Sequence, residues 1–176
     1  MMTNSENTRL SEPWLRGDLQ DVCAVPRAVL HALELAEEDL RRWCGELSDE
    51  DMNAAPFGVA PVAFHLRHIA RSLDRLLTYA EGKSLTVLQL AALKSEIDSD
   101  AKRNDLFAEL EESIRQSAAR IRAIDANSLE EARAVGKRKL PTSVAGLLIH
   151  IADHTQRHVG QAITTAKIIK ARSNRR

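Results

Sequence analysis

LLIHIADHTQRHVGQAITTAK, residues 147–167, sets His150, His154 and His158 four residues apart, and three of the six histidines in the chain fall here. Residues four apart on an α-helix stand one turn apart on the same side. Leu147, Ile151 and Ala162 share that spacing, so the segment predicts a long amphipathic helix. His154 and His158 take positions that an ordinary helical bundle would fill with Leu or Val. Burying two neutral imidazoles without partners costs on the order of a few kcal/mol each. A shared metal ion or a hydrogen-bond network offsets that cost. Two histidines at i and i+4 can reach one ion, as in an HExxH helix. Here the pair is His-Thr-Gln-Arg-His, which lacks the glutamate base of that class.

Working outward, Pro141, Thr142 and Ser143 predict the start of this helix, which continues to about residue 170. The polar stretch 125–140, with Gly136, reads as an excursion loop. Before it, Leu106, Leu110, Ile114 and Ile121 mark a helix over about 104–124. Residues 86–97 predict a short connecting helix. Pro61 opens another long helix with Val62, Leu66, Ile69, Leu73 and Leu77 on one side, and Gly82 closes it as a left-handed cap. Pro26 opens the first, whose stripe is Val29, Leu30, Leu33, Leu40, Trp43 and Leu47. Ser48 caps a short helix after it. Four such stripes predict an all-α fold, a four-helix bundle with short helices in the connections. The expected organisation is an irregular segment over 1–24, pinned by Trp14 and Leu15, a bundle over 25–170 and a basic tail over 171–176.

The composition agrees: the 176 residues are rich in Ala, Leu, Glu and Arg, and only 3% are aromatic. Lys and Arg total 25 against 25 Asp and Glu, which argues against nucleic acid or an anionic membrane as partner. No apolar run reaches the roughly 20 residues of a membrane span, and residues 1–12 lack the apolar core of a signal peptide. Cys23 and Cys44 form no CxxC or metal-knuckle pattern and read as free thiols in a reducing cytoplasm.

The second long helix brings its own pair, His65 and His68. His65 lies four before Ile69, so periodicity turns it inward, and His68 falls at the border of the stripe. Either could join His154 and His158. Three histidines with coordination positions to spare describe a catalytic rather than a closed structural metal site. His150 reads as a supporting or surface histidine, and His31 as structural. Arg67, Arg71 and Arg75 form a row at four-residue steps, which reads first as a solvated helix face.

HLRHIARSLDRLLTYAEG (65–82) followed by LLIHIADHTQRHVGQAITTAK (147–167) resembles the DinB/YfiT-like superfamily of metal-dependent proteins. The family pattern is a helix-two histidine, then HxxxH running into Gly-Gln. His158, Val159, Gly160 and Gln161 stand where the family often shows His-Arg-Gly-Gln, so Val159 replaces an arginine. The resemblance implies a four-helix bundle with a three-histidine site for a divalent ion, commonly zinc or nickel. Carried over residue by residue, the ligands are His68, His154 and His158, with His65 the rival on helix two. Gln161, in the Gly-Gln of the motif, takes a supporting place, and the resemblance implies a homodimer. Some relatives transfer low-molecular-weight thiols. The resemblance therefore implies a small-molecule substrate and a metal-dependent S-transferase or hydrolase, its catalytic residues unassigned. The alternative is a non-catalytic metal-binding or interaction module in which the ion pins the bundle.

Overall fold

Each apolar stripe read from the sequence lies on a helix, except that Leu47 of the first, though buried, falls just past that helix's end. The structure, a computed structural model, describes residues 11–97 and 100–173. The helices are α1 (Ala24–Cys44), α2 (Asp49–Asn53), α3 (Val62–Ala80), α4 (Val87–Lys94), α5 (Arg103–Arg122) and α6 (Val144–Ser173). Short 3-10 turns form at Pro13–Leu15, Pro56–Gly58 and Ala126–Ser128.

Local chemistry sets the ends. Ser48 Oγ accepts from the Asp51 N–H at the start of α2. Thr86 and Gln89 close a reciprocal capping box on α4. Gly82 takes φ +75°, and the next residue, Lys83, donates its N–H to Thr78 O at 3.0 Å, the wrap that ends α3.

α1, α3, α5 and α6 form the bundle. α1 packs against α6 and α5, and α3 packs against α5 and α6, so α1 and α3 lie diagonally. Cross-helix hydrogen bonds give the directions. Gln156 reaches Ala32 O and Lys170 reaches Trp43 O, so α1 and α6 run parallel. Arg71 meets Glu109 and Arg120 meets Glu81, so α3 and α5 run parallel. α3 and α6 are antiparallel, since Thr165 reaches Ala60 O while His68 meets His154. Two consecutive parallel helices need a connection that travels back along the bundle. Residues 81–102, with α4, make that crossover.

The core is aliphatic. Leu66, Ile69, Leu73 and Leu77 of α3 meet Leu110 and Ile121 of α5 and Leu148 and Ile151 of α6, all fully buried. Each such side chain contributes about 1.5–3 kcal/mol relative to exposure.

Two expectations need correction. The stretch read as a loop over 125–140 contains strand β1 (Ala132–Val135), antiparallel to β2 (Leu140–Ser143). Gly136 and Lys139 take positive φ at its turn. Four-residue strands carrying Arg and Pro do not show an apolar alternation. The hairpin has a purpose in the fold: Arg133 Nε donates to Ala80 O at 2.7 Å, satisfying a carbonyl at the end of α3. Pro141, Thr142 and Ser143 all belong to β2, and of the three Ser143 caps α6, its Oγ accepting from Gly146 N–H. The second correction concerns Trp14 and Leu15, which are exposed. The N-terminal segment is pinned instead by Arg16, which pairs with Glu34 and Glu38 on α1. The tail expected over 171–176 begins inside α6, and residues 174–176 lie outside the described residues, as do residues 1–10.

Cys23 precedes α1 and Cys44 ends it, so a helix about 30 Å long separates them. Cys44 is fully buried, and burial pushes its thiol up to about 11.

Candidate metal centre

α3 and α6 run antiparallel side by side, so a histidine ladder on one meets a ladder on the other in reverse order. His68 Nε2 lies 3.1 Å from His154 Nε2, and His65 Nδ1 lies 3.0 Å from His158 Nδ1. The rings of His68 and His158 are 4.3 Å apart between centroids, and those of His154 and His158 are 4.7 Å apart. One candidate ligand atom from each of His68, His154 and His158 lies within 4.8 Å of the others, the one such group among the described residues. A tetrahedral ion with nitrogen ligands at 2.0–2.1 Å sets those nitrogens roughly 3.3 Å apart. The 3.1 Å between His68 and His154 is close to that spacing.

The site lies at the edge of the core rather than within it. The buried line of α6 is Leu147, Leu148, Ile151, Thr155, Val159 and Ala162. His154 and His158 each precede a buried residue by one position, about 100° around the helix, and are half-buried. His68 is likewise half-buried, whereas His65 is 4% exposed. Periodicity therefore reads His65 correctly as the inward residue, while His68 is the one beside both α6 histidines. Phe64 stacks on His68 at 5.4 Å and meets His158 edge-on. His150 is exposed, its ring 5.4 Å from that of His154. Gln161 is exposed and makes no hydrogen bond to a histidine among the described residues. It lines a cleft of about 520 Å³ that also has His65 in its wall.

The carboxylate that sequence spacing could not assign is Glu96. It lies just past α4 on the crossover and is 3% exposed. His68 Nδ1–H donates to Oε2 at 2.7 Å, and Arg75 Nη1 donates to Oε1 at 2.6 Å. Burial works against the Glu96 charge, yet hydrogen bonds from His68 and Arg75 hold its carboxyl below the ordinary value. A carboxylate can only accept here, so a proton of His68 sits on Nδ1, and in the neutral ring that a metal ligand requires the lone pair of Nε2 faces the other histidines. Arg71 fastens the same crossover, reaching Ala92 O, Ser95 Oγ and Glu109. Arg71 and Arg75 are thus braces rather than the solvated row their spacing suggests.

Burial, with His158 and His68 beside it, pushes the His65 imidazole down to about 4. Burial likewise lowers His154, near His158, and His158, near His68, each to about 4. At neutral pH these rings are uncharged and offer lone pairs, the form a metal ligand needs. Nδ1 of His154 is buried with no hydrogen-bond partner among the described residues. The donor set therefore fits a divalent ion of the borderline class.

The same shifts set a pH dependence. Folded, these histidines stay neutral down to about pH 4, whereas in the unfolded chain a histidine takes a proton near pH 6.5. The unfolded state binds more protons between those limits, so stability falls as pH drops through that window and flattens below it. One proton corresponds to about 1.4 kcal/mol per pH unit. Chelator-treated protein should lose about 5 °C or more in Tm between pH 6.5 and 5. His65→Gln should flatten that slope, and an unchanged slope would remove His65 from the account.

Comparison with known proteins follows the geometry. Residues 32–162 match the family model described as the DinB superfamily. No curated protein matches the chain. Among solved structures, the chain is similar to a conserved protein from Enterococcus faecalis, with a TM-score of 0.70 at 16% identity, over 85% of this chain and 99% of that one. At that identity the likeness speaks for the fold. No helix among the described residues is long and apolar enough to cross a membrane. With the family match covering most of its length, from α1 through the histidines of α6, the chain belongs to the DinB superfamily.

Proposed function

We propose that this protein is a metal-dependent enzyme acting on a low-molecular-weight thiol, with His68, His154 and His158 as the ligands of a divalent ion, zinc or nickel. The observation that carries the reading is the His68–His154–His158 cluster with Glu96 behind His68. A structural ion needs a closed ligand set. Three histidines at a half-buried rim leave room for a substrate group instead. The ion would supply Lewis acidity that favours the thiolate over the thiol. In the reaction proposed, the thiol loses its proton to solvent. Its sulfur forms a bond to an electrophilic carbon, and the leaving group departs with the electrons of the broken bond.

The protein residues do the positioning. Glu96, held by Arg75, orients His68, and His65 holds the Nδ1 side of His158. Phe64 covers one face of His68 and excludes water from it.

The same reading includes a homodimer in the cytoplasm. Val87 and Leu88 at the start of α4, and Ile97 beyond its end, are each about four-fifths exposed, apolar surface that a second copy would cover. The test is a panel of thiols (glutathione, cysteine, bacillithiol and mycothiol) with an alkyl halide electrophile. Zinc- or nickel-loaded protein should consume one thiol at least tenfold faster than chelator-treated protein, and sedimentation should give the mass of two chains. Equal rates with every thiol would end the transferase reading.

A further inference from the structure

His65 belongs to two places at once. Its Nδ1 meets His158 Nδ1 at 3.0 Å, and its ring forms part of the wall of the 520 Å³ cleft bounded by residues 59–65 and α6. Two neutral imidazoles in contact through nitrogen need one N–H and one lone pair. With His158 holding an ion through Nε2, its own proton lies on Nδ1 and is donated to His65 Nδ1. The proton of His65 then lies on Nε2, which makes no hydrogen bond among the described residues. This assignment rests on the metal reading above. The result is a polar side chain 4% exposed, with an unused donor, in the wall of a cleft.

The rest of the wall is largely apolar. Val59 and Ile168 contribute side chains, and the Thr164 and Thr165 hydroxyls are already committed to Gly160 O and Ala60 O. At Gly160 an added Cβ would meet nothing within 4 Å, so backbone itself forms part of the floor. Arg157 adds a cation to the wall; its partner Asp153 is an exposed neighbour one helical turn away, and exposed pairs of this kind are weak.

We propose that this cleft binds a small carboxylate with an apolar body, whose oxygens take the Nε2–H of His65 and the guanidinium of Arg157 while the body lies against Val59, Gly160 and Ile168. The proposal adds a second subsite beside the histidine cluster and makes His65 the link between them. The carboxylate is the acceptor that suits both donors, and the volume falls in the range of small-molecule pockets.

Octanoate is the probe, titrated by calorimetry into zinc-loaded and chelator-treated protein, with zinc content measured on each sample. Saturable binding with Kd below about 1 mM is expected. Gly160→Leu, which fills the cleft and favours helix, should weaken it at least tenfold with zinc content unchanged. His65→Phe, which keeps the bulk and removes the donor, should also weaken it about tenfold. No saturation up to about 10 mM in wild-type protein would overturn the proposal. So would octanoate that binds Gly160→Leu as tightly as wild type, since it would then lie on the ion and not in the cleft. Zinc retained without octanoate binding sinks the cleft alone. Octanoate bound and displaced by Gly160→Leu, in protein that takes up no zinc, sinks the metal reading and leaves the cleft standing.

Discussion

Replacing His154 and His158 together by alanine should remove stoichiometric metal while leaving the bundle folded. Wild-type protein reconstituted with zinc or nickel should carry about one ion per chain, and the double variant close to none. The size of the effect follows from the ligand count. His68 alone gives a single nitrogen, which cannot compete with water and buffer for a divalent ion. The fold should survive because both side chains lie at the half-buried edge of α6, and the core residues beside them, Thr155 and Val159, stay in place. Alanine is the strongest helix former, and losing two desolvated imidazoles relieves a burial cost. Elemental analysis beside circular dichroism separates loss of metal from loss of fold. Single variants on α3 then test the choice of ligand: His68→Ala should lose the ion and His65→Ala should keep it. The reverse result would exchange their roles, and full metal content in the double variant would move the site elsewhere.

That choice shows where reading the sequence stops. Helical periodicity placed the long helices and turned His65 inward, because burial along α3 depends only on local spacing. It could not say which α3 histidine stands beside both His154 and His158, since that depends on the antiparallel register of two helices some eighty residues apart in sequence. The same limit explains the expectation that His154 and His158 fill core positions. A shift of one residue turns a side chain by about 100°, and the packing of α6 against α1 as well as α3 sets its rotation. Gln161 fits the family pattern in sequence, yet its place in the fold is the wall of the cleft. The hairpin at 132–143 stayed hidden because its stability comes from docking on the end of α3 through Arg133, not from its own alternation. Glu96 was hidden most completely. Nothing in residues 86–97 distinguishes one glutamate of a connecting segment from a solvated one. Only the return path imposed by parallel α3 and α5 brings it back over His68.

Glu96 is therefore the residue whose substitution says most about how the site is held. Glu96→Gln keeps the shape and removes the charge. The carboxylate accepts twice, from His68 Nδ1–H and from Arg75. An amide offers one oxygen and one NH₂. If the oxygen stays on Arg75, the NH₂ faces His68, whose Nδ1 must then become the acceptor. The proton of His68 moves to Nε2, and the lone pair that faces His154 is lost. If the oxygen turns to His68 instead, the NH₂ meets the Arg75 guanidinium, donor against donor, and a largely buried cation loses its partner. Either arrangement should weaken zinc affinity by about 10–100-fold, read by competition with a chromogenic chelator. It should also cost the metal-free protein about 1–3 kcal/mol, read in denaturant. Glu96→Asp restores the charge but shortens the reach, so it should recover the Arg75 pairing, and with it most of the stability, before it recovers affinity. If Glu96→Gln binds zinc as tightly as wild type, His68 needs no carboxylate to hold its tautomer, and the crossover serves the fold alone.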